Sequence, residues 1–474
     1  MLARLTLFLP EAVYLVMVVV LFFMTLASRP SLRRSYGTAF FFSALGVVIT
    51  AACWDQEGIL FFYAYRVDLF SQIFKLILCV ATFLVVSICR DLTGIEERHH
   101  PEFFLFLSTC TLGMMLLVSA VELMTLYVAL ELSSFSLYLL VPLRKGDGLD
   151  VEAAIKYLFI GVLASCVMLF GMSYVFGVTH TTYLAEIIRN LPQLIHQPGA
   201  AVGLVLLLAG FFFKLAVFPF HFWAPDVYHG AANQVTTFIA TASKAAAVAL
   251  LIRLTALSDG KSLYLMHVLV ALSLASMFYG NLVAIVQTSI KRMLAYSTVA
   301  HAGYVLMGIL AMNQLGYSSA IFYTLAYMVM NFAAFLVVVL LSTEGQNLNI
   351  SDLAGLHKRS PLLALTLMMA LFSLAGIPPT VGFTGKFLVF AAAMKEGYFW
   401  LVVMGMVNAT ISLYYYLMVI KAAYLTEPAV EQPAVALSLP VRVLNYGLIA
   451  AMVYFGMLPH HFTDLADQAV KRLM

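Results

Sequence analysis

Residues 210–227 read GFFFKLAVFPFHFWAPDV, so that a lysine and a proline lie within one strongly apolar segment. Lys214 is preceded by three phenylalanines, and Pro219 follows it five residues later. An ammonium group is costly in apolar surroundings unless it is paired or hydrated, and a proline removes a backbone donor and interrupts a helix. The segment therefore predicts a broken helix that carries a charge for a functional reason.

The composition of the whole chain indicates what surrounds this segment. Of the 474 residues, 63% are hydrophobic and only 10% are charged, whereas soluble domains are about 25% charged. The formal net charge of +3 provides no basic field that would attract nucleic acid. A soluble protein this apolar could not cover its own surface, so the composition predicts that most of the chain lies in lipid.

Apolar runs of about 18–25 residues recur from one end of the chain to the other, and a helix of this length crosses a bilayer. The runs lack the alternation of a membrane β-barrel. We expect helices near residues 8–27, 36–54, 68–90, 103–121, 122–143, 153–177, 201–222, 233–257, 263–287, 293–312, 316–341, 361–391, 398–425 and 437–457. The predicted fold class is an all-α membrane protein with about 14 transmembrane helices.

A second segment repeats the combination of a lysine and a helix break. Residues 376–387 read GIPPTVGFTGKF, with Lys386 following two prolines, five predicted spans beyond the first break. Breaks near the midplane are typical of transporters built from inverted repeats. We therefore expect two inverted five-helix repeats, at about spans 4–8 and 9–13, each containing a broken helix. The expected divisions are three N-terminal transmembrane helices at 1–100, the first repeat at 101–257, the second repeat at 258–425, and a C-terminal helix and tail at 426–474.

Some ionisable residues lie deep within predicted spans, namely Glu131, Lys214, Lys244, His301 and Lys386. A charge at that depth costs about 2.5–3.5 kcal/mol on insertion scales, which favours proton transfer over a purely structural pair. A helix break admits water and frees carbonyls, and Glu131 is the expected partner that keeps a proton on Lys214 until the two separate. Lys75 and Lys156 lie near span starts and are assigned structural roles, whereas Glu122 lies at a span junction and is expected to be exposed.

We expect no metal or cofactor in this chain. The five cysteines lie in or beside apolar runs without a CxxC or Cys/His cluster, so we interpret them as packing residues. The segment TVGFTGKF is faintly similar to a phosphate-binding P-loop. However, Thr380 replaces its first glycine, and Phe387 replaces the serine or threonine that holds magnesium.

The distribution of basic residues predicts the orientation. The loops of one side hold more lysine and arginine, including Arg33, Arg34, Lys358 and Arg359, and that side is expected to face the cytoplasm. With an even number of spans, both termini then lie outside. The first apolar run is too long for a signal peptide, so we expect it to remain as the first helix. No loop has room for a nucleotide-binding domain, so energy must arrive through the membrane or from a partner.

Three motifs carry a resemblance to a known family: FKLAVFPFHFWAPDVYHGAANQVTTFIATASK at 213–244, IKRMLAYSTVAHAGY at 290–304 and GIPPTVGFTGKF at 376–387. They resemble the motifs of the antiporter-like membrane subunits of respiratory complex I, and the similarity covers nearly the whole chain. The resemblance implies the same helix count and two inverted five-helix units. It also implies an input-side pair, Glu131 and Lys214, and a central proton carrier, Lys244. His301 then lies on a connecting polar chain and Lys386 on the output side.

Within this family, the chain is most similar to the N type. Lys386 occupies a position that is typically glutamate in the M type, and the long C-terminal extension of the L type is not expected. One departure is present, because family members usually read GAPTPV where residues 230–235 read GAANQV. Ala232 and Gln234 therefore replace two prolines, and we expect a local difference in the loop before the eighth span.

The resemblance implies a proton-translocating, N-type membrane-arm subunit of NADH:quinone oxidoreductase in the bacterial inner membrane. NADH, FMN, iron–sulfur clusters and quinone would then bind to partner subunits, and the partners would be the other membrane-arm subunits and, indirectly, the hydrophilic redox arm. Two alternatives share the same lysine and glutamate pattern: a subunit of a multisubunit cation/proton antiporter, and the ion-pumping subunit of a membrane-bound hydrogenase-type complex. Neighbouring genes would separate them. A scaffold without transport would leave the buried charges unexplained.

Overall fold

The computed structural model describes residues 6–27, 31–145, 148–194, 197–256, 263–428 and 433–473. Its α-helices, in chain order, are α1 (Leu9–Thr25), α2 (Leu32–Ala52), α3 (Leu69–Ser87), α4 (His100–Ser119), α5 (Leu123–Leu140), α6 (Leu149–Thr179), α7 (Leu184–Leu194), α8 (Pro198–Leu215), α9 (Trp223–Gly230), α10 (Asn233–Ala256), α11 (Leu263–Ile285), α12 (Ile290–Leu310), α13 (Gln314–Leu341), α14 (Leu356–Arg359), α15 (Pro361–Ala375), α16 (Val381–Lys395), α17 (Phe399–Leu425), α18 (Leu439–Met457) and α19 (His460–Leu473). Two short strands, β1 (Gly58–Leu60) and β2 (Tyr65–Val67), form an antiparallel hairpin between α2 and α3.

The predicted helical membrane fold is confirmed. Among the described residues, 11 helices are long and apolar enough to cross a membrane. Shorter apolar helices are α1, residues 199–215 of α8, and α15. The hairpin, α7 and α19 were not predicted, because α7 and α19 are amphipathic and the strands are only three residues long. The exact number of spans and the inverted repeats remain predictions.

The chain divides into two compact units, which are interleaved in sequence. The first consists of Met1–Leu215, Gly230–His267 and Ala466–Met474, and the second consists of Ala216–His229 and Val268–Leu465. The boundary expected between residues 257 and 258 lies outside the described residues.

Both predicted helix breaks are present. Helix α8 ends at Leu215, and Ala216 has a φ of 60°, which lies in the left-handed region. Helix α15 ends at Ala375, and Gly376 has a φ of 90°, a conformation that glycine adopts without steric cost. Because the last four carbonyls of a helix have no partner within it, each break leaves carbonyl groups available to other side chains.

Gly382 lets α16 begin close to the end of α15. A Cβ atom at this position would lie 1.8 Å from the carbonyl oxygen of Ser373, far inside a normal contact. The backbone N–H of Gly382 donates a hydrogen bond to the Ser373 hydroxyl at 3.1 Å. This close approach fixes the position of α16, the helix that carries Lys386.

Asp68 fixes the start of α3 and connects it to α10. Its carboxylate accepts the backbone N–H of Ser71 at 2.8 Å and both terminal nitrogens of Arg253 at 3.0 Å. Burial raises the pKa of Asp68, but the Arg253 guanidinium and the Ser71 amide outweigh it, so this pKa lies below its ordinary value. The ion pair therefore anchors α10, which also carries Lys244.

Glu122 is buried, which shows that the expectation of an exposed side chain was wrong. It is only 9% exposed and forms the N-cap of α5, where it accepts the backbone N–H and the hydroxyl of Thr125 at 2.7 and 2.8 Å. Burial raises the pKa of Glu122, but the backbone N–H groups of Thr125 and Met124 lower it further. The first N–H groups of a helix need such an acceptor, which explains why a carboxylate at this junction turns inward.

The departure from the family loop is accommodated locally. Gln234 lies in the first turn of α10, is buried, and donates through Nε2 to the carbonyl oxygen of Thr93 at 3.4 Å. Ala232 is buried beside it in the sequence, before the helix begins. An amide side chain therefore connects this loop to another, where the family usually has a proline.

Candidate functional site

Lys214 is buried near the end of α8 and is held by two serine hydroxyls. Its side chain is 1% exposed, and its Nζ donates to Ser133 Oγ at 2.9 Å and Ser134 Oγ at 3.1 Å. Both serines belong to α5, the helix that carries Glu131. Hydroxyl groups can solvate an ammonium ion, but they do not neutralise its charge.

Glu131 and Lys214, the expected pair, do not form a direct ion pair. The Glu131 carboxylate is half-buried and accepts a hydrogen bond of 2.5 Å from the Ser165 hydroxyl of α6. The Glu131 carboxylate and the Lys214 ammonium are thus each bound by serine hydroxyls and not by each other. This is the separated arrangement in which we expect Lys214 to release its proton.

Lys244 uses a carbonyl that the first helix break sets free. It lies on α10, is 3% exposed, and donates through Nζ to the carbonyl oxygen of Lys214 at 3.1 Å. That carbonyl lies in the last turn of α8, where no later residue of the helix can bond to it. The negative end of the helix dipole is also located there. The two lysines are therefore neighbours.

Lys386 has an equivalent environment at the second break. Its Nζ donates to the carbonyl oxygens of Leu374 and Ala375, each at 2.9 Å, and the side chain is 4% exposed. Both carbonyls belong to the last turn of α15. The ammonium also lies 4.8 Å from the centre of the Tyr304 ring, within the range of a cation–π interaction.

His301 lies between two tyrosine hydroxyls in the second unit. Its Nδ1 is 2.7 Å from the hydroxyl of Tyr323, and its Nε2 is 3.2 Å from the hydroxyl of Tyr416. A neutral imidazole donates from one nitrogen and accepts at the other, so this ring can receive a proton on one side and release it on the other.

Tyr304 connects the surroundings of His301 to those of Lys386. It lies three residues after His301 on α12, and the two rings meet edge to face with centres 5.7 Å apart. Tyr304 also contacts the ammonium of Lys386. The structure therefore places His301, Tyr304 and Lys386 in one continuous cluster of the second unit.

The sequence did not predict the hydroxyl groups of these clusters, which are those of Ser133, Ser134, Ser165, Tyr323 and Tyr416. A serine pair two and three residues after a buried glutamate could have indicated a polar patch on α5. The two tyrosines come from α13 and α17, far from His301 in sequence. No spacing rule could have found them.

A second buried ion pair lies outside the predicted set. Lys75 Nζ is 2.7 Å from Glu11 Oε1, and neither side chain is exposed. The hydroxyl of Tyr65 donates to the same Glu11 oxygen at 2.7 Å. The pair joins α1 to α3. Glu11 was not singled out from the sequence because it lies near the start of the first apolar run.

His221 is another buried ionisable residue that the sequence argument did not single out. It lies two residues after Pro219, and its ring centre is 5.5 Å from that of Phe218 and 4.5 Å from that of Tyr279. Within the described part of the chain, neither ring nitrogen has a hydrogen-bond partner. The same residues contain no group of three or more His, Cys, Asp or Glu side chains that could hold a metal ion.

Comparison with known proteins gives similarity over the full length. Residues 120–412 match the family described as NADH:quinone oxidoreductase/Mrp antiporter, TM. A curated relative, NADH-quinone oxidoreductase subunit N 2 from Syntrophobacter fumaroxidans, is 53% identical over 467 residues. The alignment covers 98% of this chain and 99% of that relative.

Two solved structures share the fold. A chain of respiratory complex I from Thermus thermophilus with bound aureothin has a TM-score of 0.84 and 32% identity, covering 97% of this chain and 99% of that chain. A chain of the Mrp complex from Dietzia has a TM-score of 0.86 and 22% identity, covering 98% of this chain and 97% of that chain. At the lower identity, the likeness concerns the fold alone.

Proposed function

Because the chain belongs to the NADH:quinone oxidoreductase/Mrp antiporter family of transmembrane proteins, we propose that protons cross the membrane through its buried ionisable residues: Glu131, Lys214, Lys244, His301 and Lys386. The chain is a proton-translocating, N-type membrane-arm subunit of NADH:quinone oxidoreductase. Identity of 53% over 98% of the chain supports this function over the antiporter and hydrogenase-type alternatives.

The observation that carries the proposal is the shared environment of Lys244 and Lys386. Each ammonium rests on backbone carbonyls at the end of a broken helix, Lys244 on that of Lys214 and Lys386 on those of Leu374 and Ala375. Carbonyl dipoles stabilise a cation. A lysine bound by carbonyl groups holds its proton less firmly than a lysine paired with a carboxylate. Such a lysine can therefore release its proton and take one up again.

Glu131 and Lys214 act as the input pair in this proposal. When the carboxylate approaches, it stabilises the protonated form of Lys214, and when it withdraws to Ser165, that stabilisation is lost. The Ser133 and Ser134 hydroxyls hold the ammonium in the withdrawn state. The two titrations are coupled, so the proton belongs to the pair and not to either residue.

His301 and Lys386 act on the output side. The tyrosine hydroxyls on both ring nitrogens of His301 give a proton a donor and an acceptor within hydrogen-bond distance. Tyr304, between the imidazole and the ammonium, positions both.

The energy for transport comes from partner subunits. Other membrane-arm subunits and, through them, the redox arm are the partners, and this chain works within the enzyme complex without exchanging electrons itself. NADH, FMN, iron–sulfur clusters and quinone bind to those partners in this proposal. Moving one charge against 100 mV requires about 2.3 kcal/mol, so an uncoupled chain could only leak protons.

Orientation and repeats complete the proposal. The chain is a multi-pass integral membrane protein, and we place it in the bacterial inner membrane with both termini outside. Residues 101–257 and 258–425 form the two inverted repeats, flanked by segments 1–100 and 426–474. The recurrence of a broken helix with a carbonyl-bound lysine in each unit supports this division.

The test is the coupled activity of the assembled complex in proteoliposomes. Lys244→Ala should assemble normally yet lower NADH:quinone reductase activity and proton uptake severalfold or more, because it removes the central carrier. Glu131→Gln should also slow turnover, since it deletes the charge that controls Lys214. Lys395→Ala is the matched control, because Lys395 is exposed and lies at the end of α16.

Wild-type rates of proton uptake in Lys244→Ala would remove this residue from the path and overturn the proposal. Wild-type turnover in Glu131→Gln would make the glutamate structural. If Lys395→Ala lowered reductase activity and proton uptake equally, the effect would follow from the removal of any lysine. This result would also contradict the assigned roles.

A further inference from the structure

An open cavity of about 410 Å³ lies in the second unit, at the ends where α15 and α18 begin. Its wall includes Arg359, Leu362, Leu365, Leu437, Arg442 and Tyr446. Among the described residues that line it, none is acidic. Because the candidate span α18 and the shorter apolar helix α15 start there, the cavity lies at the boundary between lipid and water, and two arginines give it a positive charge.

The two guanidinium groups are held in place but keep free donors. Arg359 Nε donates to the carbonyl of Pro433 at 3.4 Å, and Arg442 Nε donates to the carbonyl of Leu437 at 3.0 Å. In the part of the chain that the structure describes, the terminal nitrogens of both arginines have no acceptor. The two N–H₂ groups of each arginine are therefore available to a ligand.

Glu427, the carboxylate that follows α17, is paired with Lys358 and not with the arginines of the cavity. Both oxygens of Glu427 accept hydrogen bonds from Lys358 Nζ, at 2.7 and 2.8 Å, and these bonds lower the pKa of Glu427. Burial lowers the pKa of Arg359, without a carboxylate to offset it. The positive charge of the cavity is thus left uncompensated by the described chain, and an anion would be favoured there.

The walls are fixed by hydrogen bonds, so the cavity is preformed. The buried hydroxyl of Thr366 on α15 donates to Asn445 Oδ1 on α18 at 2.7 Å. The backbone N–H of Val435 donates to the carbonyl oxygen of Arg359 at 3.2 Å. These bonds hold the first turns of the two helices and the incoming segment in one arrangement.

The same cavity has an apolar side that continues along the helices. Leu365 is 36% exposed and Tyr446 is 61% exposed. Leu365 lies on α15, after Arg359, which ends α14, and Tyr446 lies one turn beyond Arg442 on α18. Tyr446 is seven residues after the first residue of α18, about 10 Å along the helix axis. The cavity is therefore cationic at the membrane surface and apolar toward the membrane interior.

We propose that this cavity binds an anionic glycerophospholipid, with its phosphate on Arg359 and Arg442 and an acyl chain along Leu365 and Tyr446. A planar guanidinium matches two phosphate oxygens at once, and the N-terminal ends of α15 and α18 add favourable dipoles. A zwitterionic lipid also brings a cation next to the two arginines, so it binds less well. Basic pockets between transmembrane helices recognise anionic headgroups in this way.

The test compares the assembled complex with its Arg359→Gln/Arg442→Gln variant. Each complex is purified, titrated with phosphatidylglycerol or phosphatidylcholine, and examined for bound lipid by native mass spectrometry and for its melting temperature. Loss of two interfacial charges should weaken phosphatidylglycerol binding roughly 30-fold and leave phosphatidylcholine binding unchanged. Lys421→Gln is the control, because Lys421 is exposed near the end of α17 and does not line the cavity.

A second variant keeps the charges and fills the apolar side. Leu365→Trp should also reduce phosphatidylglycerol binding, since the acyl chain loses its space, while inorganic phosphate added alone should neither bind detectably nor raise the melting temperature. Equal phosphatidylglycerol retention in wild type and the double arginine variant would overturn the proposal. So would stabilisation by inorganic phosphate alone. If the double arginine variant failed to assemble but kept its lipid content, this surface would bind a neighbouring subunit and not a lipid.

Discussion

Replacing Lys75 by methionine removes one partner of a fully buried ion pair and should destabilise the N-terminal helices. Lys75 Nζ lies 2.7 Å from Glu11 Oε1, and both side chains are completely buried. Methionine fills most of the space of the lysine stem but carries no charge. Among the described residues, the Glu11 carboxylate would then keep only the hydroxyl of Tyr65 as a hydrogen-bond partner, at 2.7 Å, and its charge would be uncompensated.

The size of the effect follows from the burial of both groups. Removing one partner of a buried pair costs about 3–5 kcal/mol, whereas replacing both by apolar residues of similar volume is often neutral. In the Glu11→Leu/Lys75→Met double variant, the Tyr65 hydroxyl still loses its acceptor, which costs about 1–3 kcal/mol. Adding Tyr65→Phe removes that last unpaired group, so the triple variant should approach the stability of the wild type.

The assay is the rate at which a thiol reagent reaches Cys79 in the assembled complex. Cys79 is buried on α3, one turn after Lys75, and hydrogen-bonds with Thr50 of α2 at 3.4 Å. Labelling therefore reports local opening of these helices. A loss of about 3–5 kcal/mol corresponds to roughly 150- to 5,000-fold faster labelling. Cys166 is exposed and serves as the internal reference.

Three results would contradict the expected local destabilisation. Labelling of Cys79 at the wild-type rate in Lys75→Met would mean that the pair contributes no stability. Equal rates in the single and double variants would mean that the two charges are not coupled. Faster labelling of Cys166 as well would indicate a general loosening of the protein and would equally contradict a local effect.

Three further changes test other contacts. Gly382→Ala should reduce the amount of assembled complex on native gels severely, because its Cβ would lie 1.8 Å from the Ser373 carbonyl oxygen; normal assembly would show that the break can relax. Tyr323→Phe should leave assembly unchanged but lower proton pumping severalfold, because it removes the hydroxyl 2.7 Å from His301 Nδ1; unchanged pumping would exclude that hydroxyl. Although burial raises the pKa of Asp68, ion pairing keeps it below the ordinary value. Its stabilisation is therefore complete above about pH 4 and is lost as pH falls through the lowered folded pKa. The melting temperatures of wild type and Asp68→Asn should converge on acidification, and a constant difference would contradict this.

The fold was predictable from the sequence where the membrane itself imposes a rule. Apolar length determines whether a helix can span a bilayer, and proline and glycine mark the breaks, so both broken helices were found at Pro219 and Pro379. Elements at the membrane surface follow no such rule. The strands of the hairpin are only three residues long, and α19 buries only one side of an amphipathic helix, so neither produces an apolar run.

The candidate site was predictable only in part, for a physical reason. The depth of a charge in a span can be read from the sequence, which is why Lys214, Lys244 and Lys386 were identified. The groups that surround a charge depend on tertiary packing. Neither the serine hydroxyls that separate the input pair nor the tyrosines around His301 follow from spacing within one helix. Glu122 is buried because it caps α5. Its position at a span junction in the sequence does not indicate this capping role.

Four of the buried cations in the described part of the chain contact either carboxylates or backbone carbonyls, and we propose that this difference separates anchors from proton carriers. Lys75 and Arg253 face carboxylates at 2.7 and 3.0 Å, so each charge is neutralised and neither group can change its protonation without leaving the other unpaired in the membrane. Lys244 and Lys386 rest on backbone carbonyls, which stabilise the cation but remain neutral when its proton leaves. Among the described residues, deprotonation of Lys386 then leaves no unpaired carboxylate behind. Helix breaks supply such carbonyls at a depth where an intact helix offers none, which is why a lysine and a proline occur together in one apolar segment.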